Sequence, residues 1–178
     1  LQDVLKAWEN MGYYSRARNI HAASRMIVNQ WGGRIPDKLE EIKTIPGIGE
    51  YTAGAILSIA YRQALPAVDG NVRRILSRLF AIRKPVNDPR EQKKLRDLAV
   101  LLVPAKHPGE FNQGLMDLGA TVCRAKNPDC SRCPLSGICG AKLHNLQNIL
   151  PITGKTPAIP HRQAAAAVIR NSEDLLLV

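Results

Sequence analysis

Apolar positions recur at helical spacing along roughly the first 145 residues. Ile20, Ala23 and Ile27; Ala53, Ile56, Leu57 and Ala60; Val72, Ile75, Leu76 and Leu79; Leu95, Leu98 and Leu102; and Phe111, Leu115, Leu118 and Val122 each trace one face of a 3.6-residue period. The opening "LQDVLKAWENM" reads as a further helix, and a short one is expected around Leu39 to Lys43. Loops rich in Gly and Pro, "GGRIPDK", "RKPVNDP" and "PAKHPGE", separate the runs. The pattern predicts an all-α domain over residues 1–145. The periodicity then stops, and residues 146–160, with "ITGKTPAIPHR", read as a Pro-rich linker. Two apolar runs around a polar "NSED" turn predict a hairpin at 161–178, the start of a second, β-containing domain. The chain opens at Leu1 within a helical pattern and stops at "LLLV", so it reads as a piece of a longer protein.

Charge narrows the choice of partner. Lys and Arg number 25 against 15 Asp and Glu, a formal +10, which favours a polyanion. Aromatic residues make up 4% of the chain, too few for a single-strand binder built on stacking platforms. No apolar run approaches the roughly 18 residues of a membrane span, and no signal peptide is visible. The expectation is a soluble protein, monomeric, in the bacterial cytoplasm or an equivalent reducing compartment.

All four cysteines fall in "TVCRAKNPDCSRCPLSGIC": Cys123, Cys130, Cys133 and Cys139, separated by six, two and five residues. Disulfides staple small secreted domains that lack a core, whereas this chain is 45% hydrophobic. Four thiolates from one short loop suit a metal centre, either zinc or an iron-sulfur cluster. A second signal is "IPGIGEYTAGAI" (45–56), where Pro46, Gly47 and Gly49 make a tight turn and the following helix presents free N–H groups and its dipole to an anion. Such turns also serve merely to reverse the chain. In "AVDGNVRRILSR" (67–78), Asp69 in Asp-Gly-Asn stands just before the apolar run Val72 to Leu79, where a helix cap is expected.

Together with "GYYSRARN" (12–19) and "FNQGLMDLGATVC" (111–123), these segments resemble the adenine DNA glycosylases of the MutY type, within the endonuclease III helix-hairpin-helix superfamily. The resemblance covers nearly the whole chain. It implies a helix-hairpin-helix fold, a 4Fe-4S cluster on Cys123, Cys130, Cys133 and Cys139, and hydrolysis of the N-glycosidic bond of adenine mispaired with 8-oxoguanine or guanine in double-stranded DNA. Asp69 would stabilise the oxocarbenium-like centre and Asn71 would place the sugar or the attacking water. Tyr51 stands where strand-cutting relatives carry a Schiff-base lysine, which implies the monofunctional branch; a structural tyrosine is the other reading. Tyr13 resembles the wedge that helps expel the target base, while its neighbour Tyr14 is equally readable as core. Gln113 would approach the adenine pocket or simply be solvated. Arg124, Lys126 and Arg132 would hold phosphates.

The family's general-acid glutamate and a Gln-Gln-Thr segment lie upstream of Leu1, so the chain as given is expected to be inactive. The expected hairpin at 161–178 would open a Nudix-like domain that reads 8-oxoguanine. Two other readings share many of these features: a thymine-mismatch glycosylase of the same superfamily, and a DNA-binding module without chemistry. The Pro-rich linker leading into a β domain favours adenine.

Overall fold

The computed structural model describes residues 1–154 together with 163, 168, 169 and 172. The stretch expected to form a hairpin at 161–178 therefore lies, apart from those four positions, outside the described residues. Eight helices are found among the described residues, and no strand: α1 (Gln2–Ala7), α2 (Tyr14–Trp31), α3 (Leu39–Ile42), α4 (Glu50–Ala60), α5 (Gly70–Leu79), α6 (Pro89–Leu102), α7 (Pro108–Thr121) and α8 (Gly140–Leu143). None is long and apolar enough to cross a membrane.

Local chemistry sets the boundaries. α2 ends at Gly32 in the left-handed conformation, where a side chain would be strained. α6 opens with Pro89 in its first turn, and Asp88 accepts hydrogen bonds from the N–H groups of Arg90 at 2.8 Å and Glu91 at 3.3 Å.

Two apolar clusters hold the helices. One joins α3 and α4 through Ile42, Ile45, Ala53 and Leu57, with Ala23, Ile27 and Trp31 of α2 against it. The other joins α5 and α6 through Val72, Leu76, Leu95 and Ala99, with Leu115 and Met116 of α7 packed alongside. α7 lies against both α4 and α5. Of the expected faces, Ala53 and Leu57 of α4 and Val72, Ile75 and Leu76 of α5 are buried, whereas Ala60 at the end of α4 is exposed; α2 differs more, since Ile20 is 52% exposed and Ala17 is its buried residue. Ala17 lies three residues before Ile20, on the neighbouring edge of the same face.

Residues 146–154, the first part of the segment read as a linker, lie on the helical domain. Leu150 is buried, Ile152 O accepts from Val86 N at 2.8 Å, and Gly154 N donates to Asn87 Oδ1 at 2.7 Å. The Pro-rich texture concealed an apolar anchor at Leu150.

Candidate active site and iron-sulfur loop

The turn between α3 and α4 is built as its glycines require. Gly47 has φ +84°, and a Cβ there would stand 2.9 Å from Asn19 Cβ, so both backbone and space demand glycine. Gly49 precedes α4 without a side-chain cap. Ala53 N–H is bound by Gly49 O at 2.8 Å, and no acceptor stands at the N–H groups of Glu50, Tyr51 and Thr52 among the described residues. Pro46 is half-buried behind the turn. This leaves a helix N-terminus open toward solvent, with Glu50 neutralised by Arg96 at 3.0 Å.

α5 begins at Asp69. Its Oδ1 accepts from Val72 N at 2.7 Å and its Oδ2 from Asn71 Nδ2 at 3.1 Å. The two readings of Asp69 thus share one geometry: the cap fixes the carboxylate, and Asn71 orients its second oxygen. A short extended segment delivers this residue. Asn112 of α7, 1% exposed, receives Ala67 N–H at 3.1 Å and donates to Leu65 O at 2.8 Å and Ser58 Oγ at 2.9 Å. It pins residues 65–67 between α4 and α7. Gly119 lets α7 approach, since a Cβ there would stand 2.5 Å from Asn71 Cβ.

Tyr51, half-exposed, lines a cleft with Val68, which precedes Asp69, with Arg73, one turn into α5, and with Glu50, Pro66, Gln92 and Arg96. Its hydroxyl lies 3.6 Å from Met116 Sδ. α7 therefore meets Tyr51 through Met116. Gln113, one turn earlier, lines a different cleft with Ser58, Ile59, Arg62 and Lys106, and its amide donates to Gly109 O at 3.2 Å. Tyr13 lines neither cleft: it precedes α2 in the left-handed region with φ +46°, 76% exposed, with the Arg16 guanidinium 5.0 Å from its ring centre. A bulky residue held there stores strain. Tyr14 is exposed too, and its hydroxyl accepts from Asn10 N at 3.3 Å.

The cysteine loop follows α7. All four thiols are free and line one small cavity with Arg78, Gln147, Val122 and Pro128. Burial pushes the Cys130 thiol above its usual range; the nearby thiols of Cys139, Cys123 and Cys133 push the same way, and Arg78 opposes them. Gathered thiolates of this kind call for a cation. Gln147 Oε1, buried in the same wall, has no hydrogen-bond partner among the described residues. No three His, Cys, Asp or Glu side chains among the described residues are placed to share one ion. Zinc would draw sulfurs to about 2.3 Å from a point, whereas a cluster is held by thiolates spread around it. The donor set of four cysteines and the cavity they line fit an iron-sulfur cluster.

α5 connects the loop to Asp69. Arg74 Nη2 donates to Asn71 Oδ1 and Gly119 O, each at 2.8 Å, and its Nε donates to Cys123 O at 2.8 Å. Burial pulls the Arg74 guanidinium below its usual range, with Cys123 opposing, Arg78 adding to the fall and Asp69 opposing it. On the loop surface Arg124 and Lys126 are exposed, and Arg132 lies 3.9 Å from Asp129. Arg74, Arg78, Asn112 and Met116 were not singled out from sequence. A signal existed for the first two: arginines four residues apart on a helix whose remaining face is apolar.

A helical hairpin, a carboxylate-capped helix behind it and a four-cysteine iron-sulfur loop define the class. Residues 1–100 match the family described as HhH-GPD superfamily base excision DNA repair protein, and residues 123–139 match the iron-sulfur binding domain of endonuclease III. The chain belongs to the HhH-GPD superfamily of base excision DNA repair proteins. It is 36% identical over 177 residues to the adenine DNA glycosylase of Buchnera aphidicola subsp. Acyrthosiphon pisum, covering 99% of this chain and 51% of the relative. It is 41% identical over 167 residues to the human adenine DNA glycosylase, covering 93% and 31%. The chain thus spans about half the length of the bacterial relative and under a third of the human one. Among solved structures, a thermostable thymine-DNA glycosylase superposes with TM-score 0.72 at 31% identity, over 80% of this chain and 66% of the other. A trapped endonuclease III–DNA covalent intermediate gives 0.68 at 25% identity, over 82% and 67%.

Proposed function

We propose that the protein carrying this chain is a monofunctional adenine DNA glycosylase, hydrolysing the N-glycosidic bond of adenine opposite 8-oxoguanine or guanine in double-stranded DNA. It acts as a monomer, in a compartment reducing enough to keep its four cysteines from pairing as disulfides. The observation that carries the reading is the Asp69 carboxylate, fixed by Val72 N–H and Asn71 at the head of α5 and flanked by residues of the Tyr51 cleft. Departure of the base leaves positive charge on the deoxyribose, and a fixed carboxylate stabilises it without reorganising. Asn71 keeps the carboxylate turned; Tyr51 shapes the cleft and offers no amine. Tyr13 serves as the wedge, and Gln113 contacts the DNA from the second cleft. The hairpin at Pro46, Gly47 and Gly49 and the loop residues Arg124, Lys126 and Arg132 hold phosphates.

Asp69→Asn tests this in the full-length protein. Asparagine caps a helix as well as aspartate, so the melting temperature should hold. Single-turnover release of adenine from a duplex with adenine opposite 8-oxoguanine should fall by about 10²-fold or more, with DNA affinity retained. An unchanged rate would remove Asp69 from the chemistry, and thymine release from a G·T duplex in place of adenine would favour the thymine-mismatch reading.

A further inference from the structure

Arg78 sits near the end of α5, on the side facing the cysteine loop, and is 2% exposed. Arginine is rarely so buried unless an anion accompanies it. Here the hydrogen bonds go to neutral backbone. Nε donates to Leu150 O at 2.8 Å, Nη1 to Arg124 O at 2.7 Å, and Nη2 to Ala125 O at 3.1 Å. No carboxylate pairs with it among the described residues. The anionic group within reach is a cysteine sulfur: Nη1 lies 3.3 Å from Cys123 Sγ, and the same guanidinium forms part of the cavity wall the four thiols share. Carbonyl oxygens satisfy the donors, but they do not balance a full charge. The thiolates can.

We propose that Arg78 is the fixed counter-charge of the group held by Cys123, Cys130, Cys133 and Cys139, and that it sets how readily that group loses an electron. The inference rests on the iron-sulfur reading of the loop. A cluster ligated by four thiolates is anionic and more so when reduced, so a buried cation beside one ligand favours the reduced form. Net charge and hydrogen bonds to the sulfurs are among the factors that set such potentials. Arg78 touches no substrate; it is a positioning residue for the cofactor.

The test uses the full-length holoprotein purified without oxygen, as parent, Arg78→Gln and Arg78→Lys. Iron content is measured first, and then the oxidised-to-reduced ratio by redox titration followed by electron paramagnetic resonance. In Arg78→Gln the ratio at the parent's midpoint should rise about tenfold or more, equivalent to a drop of about 59 mV for one electron. Arg78→Lys, which keeps the charge, should stay within about threefold. A loaded Arg78→Gln whose ratio matches the parent's overturns the proposal, because a purely structural arginine would leave the potential where it was. Should Arg78→Gln lose its iron, Arg78→Lys decides. Loading with a near-parental ratio supports the charge role, and failure to load or a shift of about tenfold overturns it in favour of the planar fork. Zinc without iron in the parent would overturn the iron-sulfur reading and this inference with it, whereas iron with an unmoved ratio overturns the inference alone.

Discussion

Asn112→Ala should be the most damaging substitution on α7 outside its apolar positions, and the structure gives the size. The Asn112 side chain is 1% exposed and makes three hydrogen bonds. Truncation orphans Ala67 N–H and Leu65 O, both backbone groups of the segment that leads to Asp69. Ser58 loses less, because its hydroxyl also donates to Ala55 O at 3.3 Å. An orphaned buried group costs about 1–3 kcal/mol, so two cost about 2–6 kcal/mol, and partial entry of water into the vacated space points to the lower half, about 3 kcal/mol. At about 2–4 °C per kcal/mol for a chain of this length, the melting temperature should fall by roughly 6–12 °C. Thermal unfolding followed by circular dichroism measures it, with the exposed neighbour Gln113→Ala as control at about 0.5 kcal/mol or less. Loosening residues 65–67 should also displace Asp69, lowering the single-turnover excision rate of the full-length protein about 10²-fold at nearly constant DNA affinity. If Asn112→Ala melts within 1 kcal/mol of the parent, like Gln113→Ala, the pinning argument is wrong.

Two further outcomes are expected. Arg124→Ala and Lys126→Ala should each weaken binding to every duplex alike and reduce the slope of log affinity against log salt by about one; unchanged slopes in both would take the cysteine loop out of the DNA interface. Borohydride should trap no covalent adduct with the unmodified full-length protein, whereas Tyr51→Lys should gain some, since an amine would then stand in the cleft beside the Asp69 cap; trapping by the parent would refute the monofunctional reading.

What the sequence disclosed was chemistry whose partners are close in the chain. The four cysteines span 17 residues, the hairpin turn a handful, and Asp69 caps a helix three residues on, so each motif states its own geometry. Asn112, Arg74 and Arg78 gave no such statement, because their partners lie 45 to 72 residues away and an amide or guanidinium in an amphipathic helix is ordinarily solvated. Gln113 shows the converse. Its helix was legible, yet a helix fixes only which side chains share a face, and the packing of α7 brought Met116 to Tyr51 and left Gln113 in the neighbouring cleft. Ile20 shows a second limit: periodicity marks an apolar stripe, while the edge of that stripe is settled by what packs on it.

These long-range contacts also explain why two motifs that look independent in sequence need each other in space. α5 carries Asp69 at its head, then Arg74 and Arg78 one and two turns further along, and at 1.5 Å per residue the whole distance is about 14 Å. Arg74 is bonded to Asn71 at one end and to Cys123 O at the other, so the amide that turns the Asp69 carboxylate is itself held by a residue anchored in the cysteine loop. A loop with no secondary structure of its own cannot offer a fixed carbonyl at 2.8 Å unless something fixes the loop. Arg78 fixes part of it, through the carbonyls of Arg124 and Ala125, and whatever joins the four sulfurs fixes the rest. The orientation of Asn71, and with it the second oxygen of Asp69, therefore depends in part on the order of the loop, even though no cysteine lines the Tyr51 cleft.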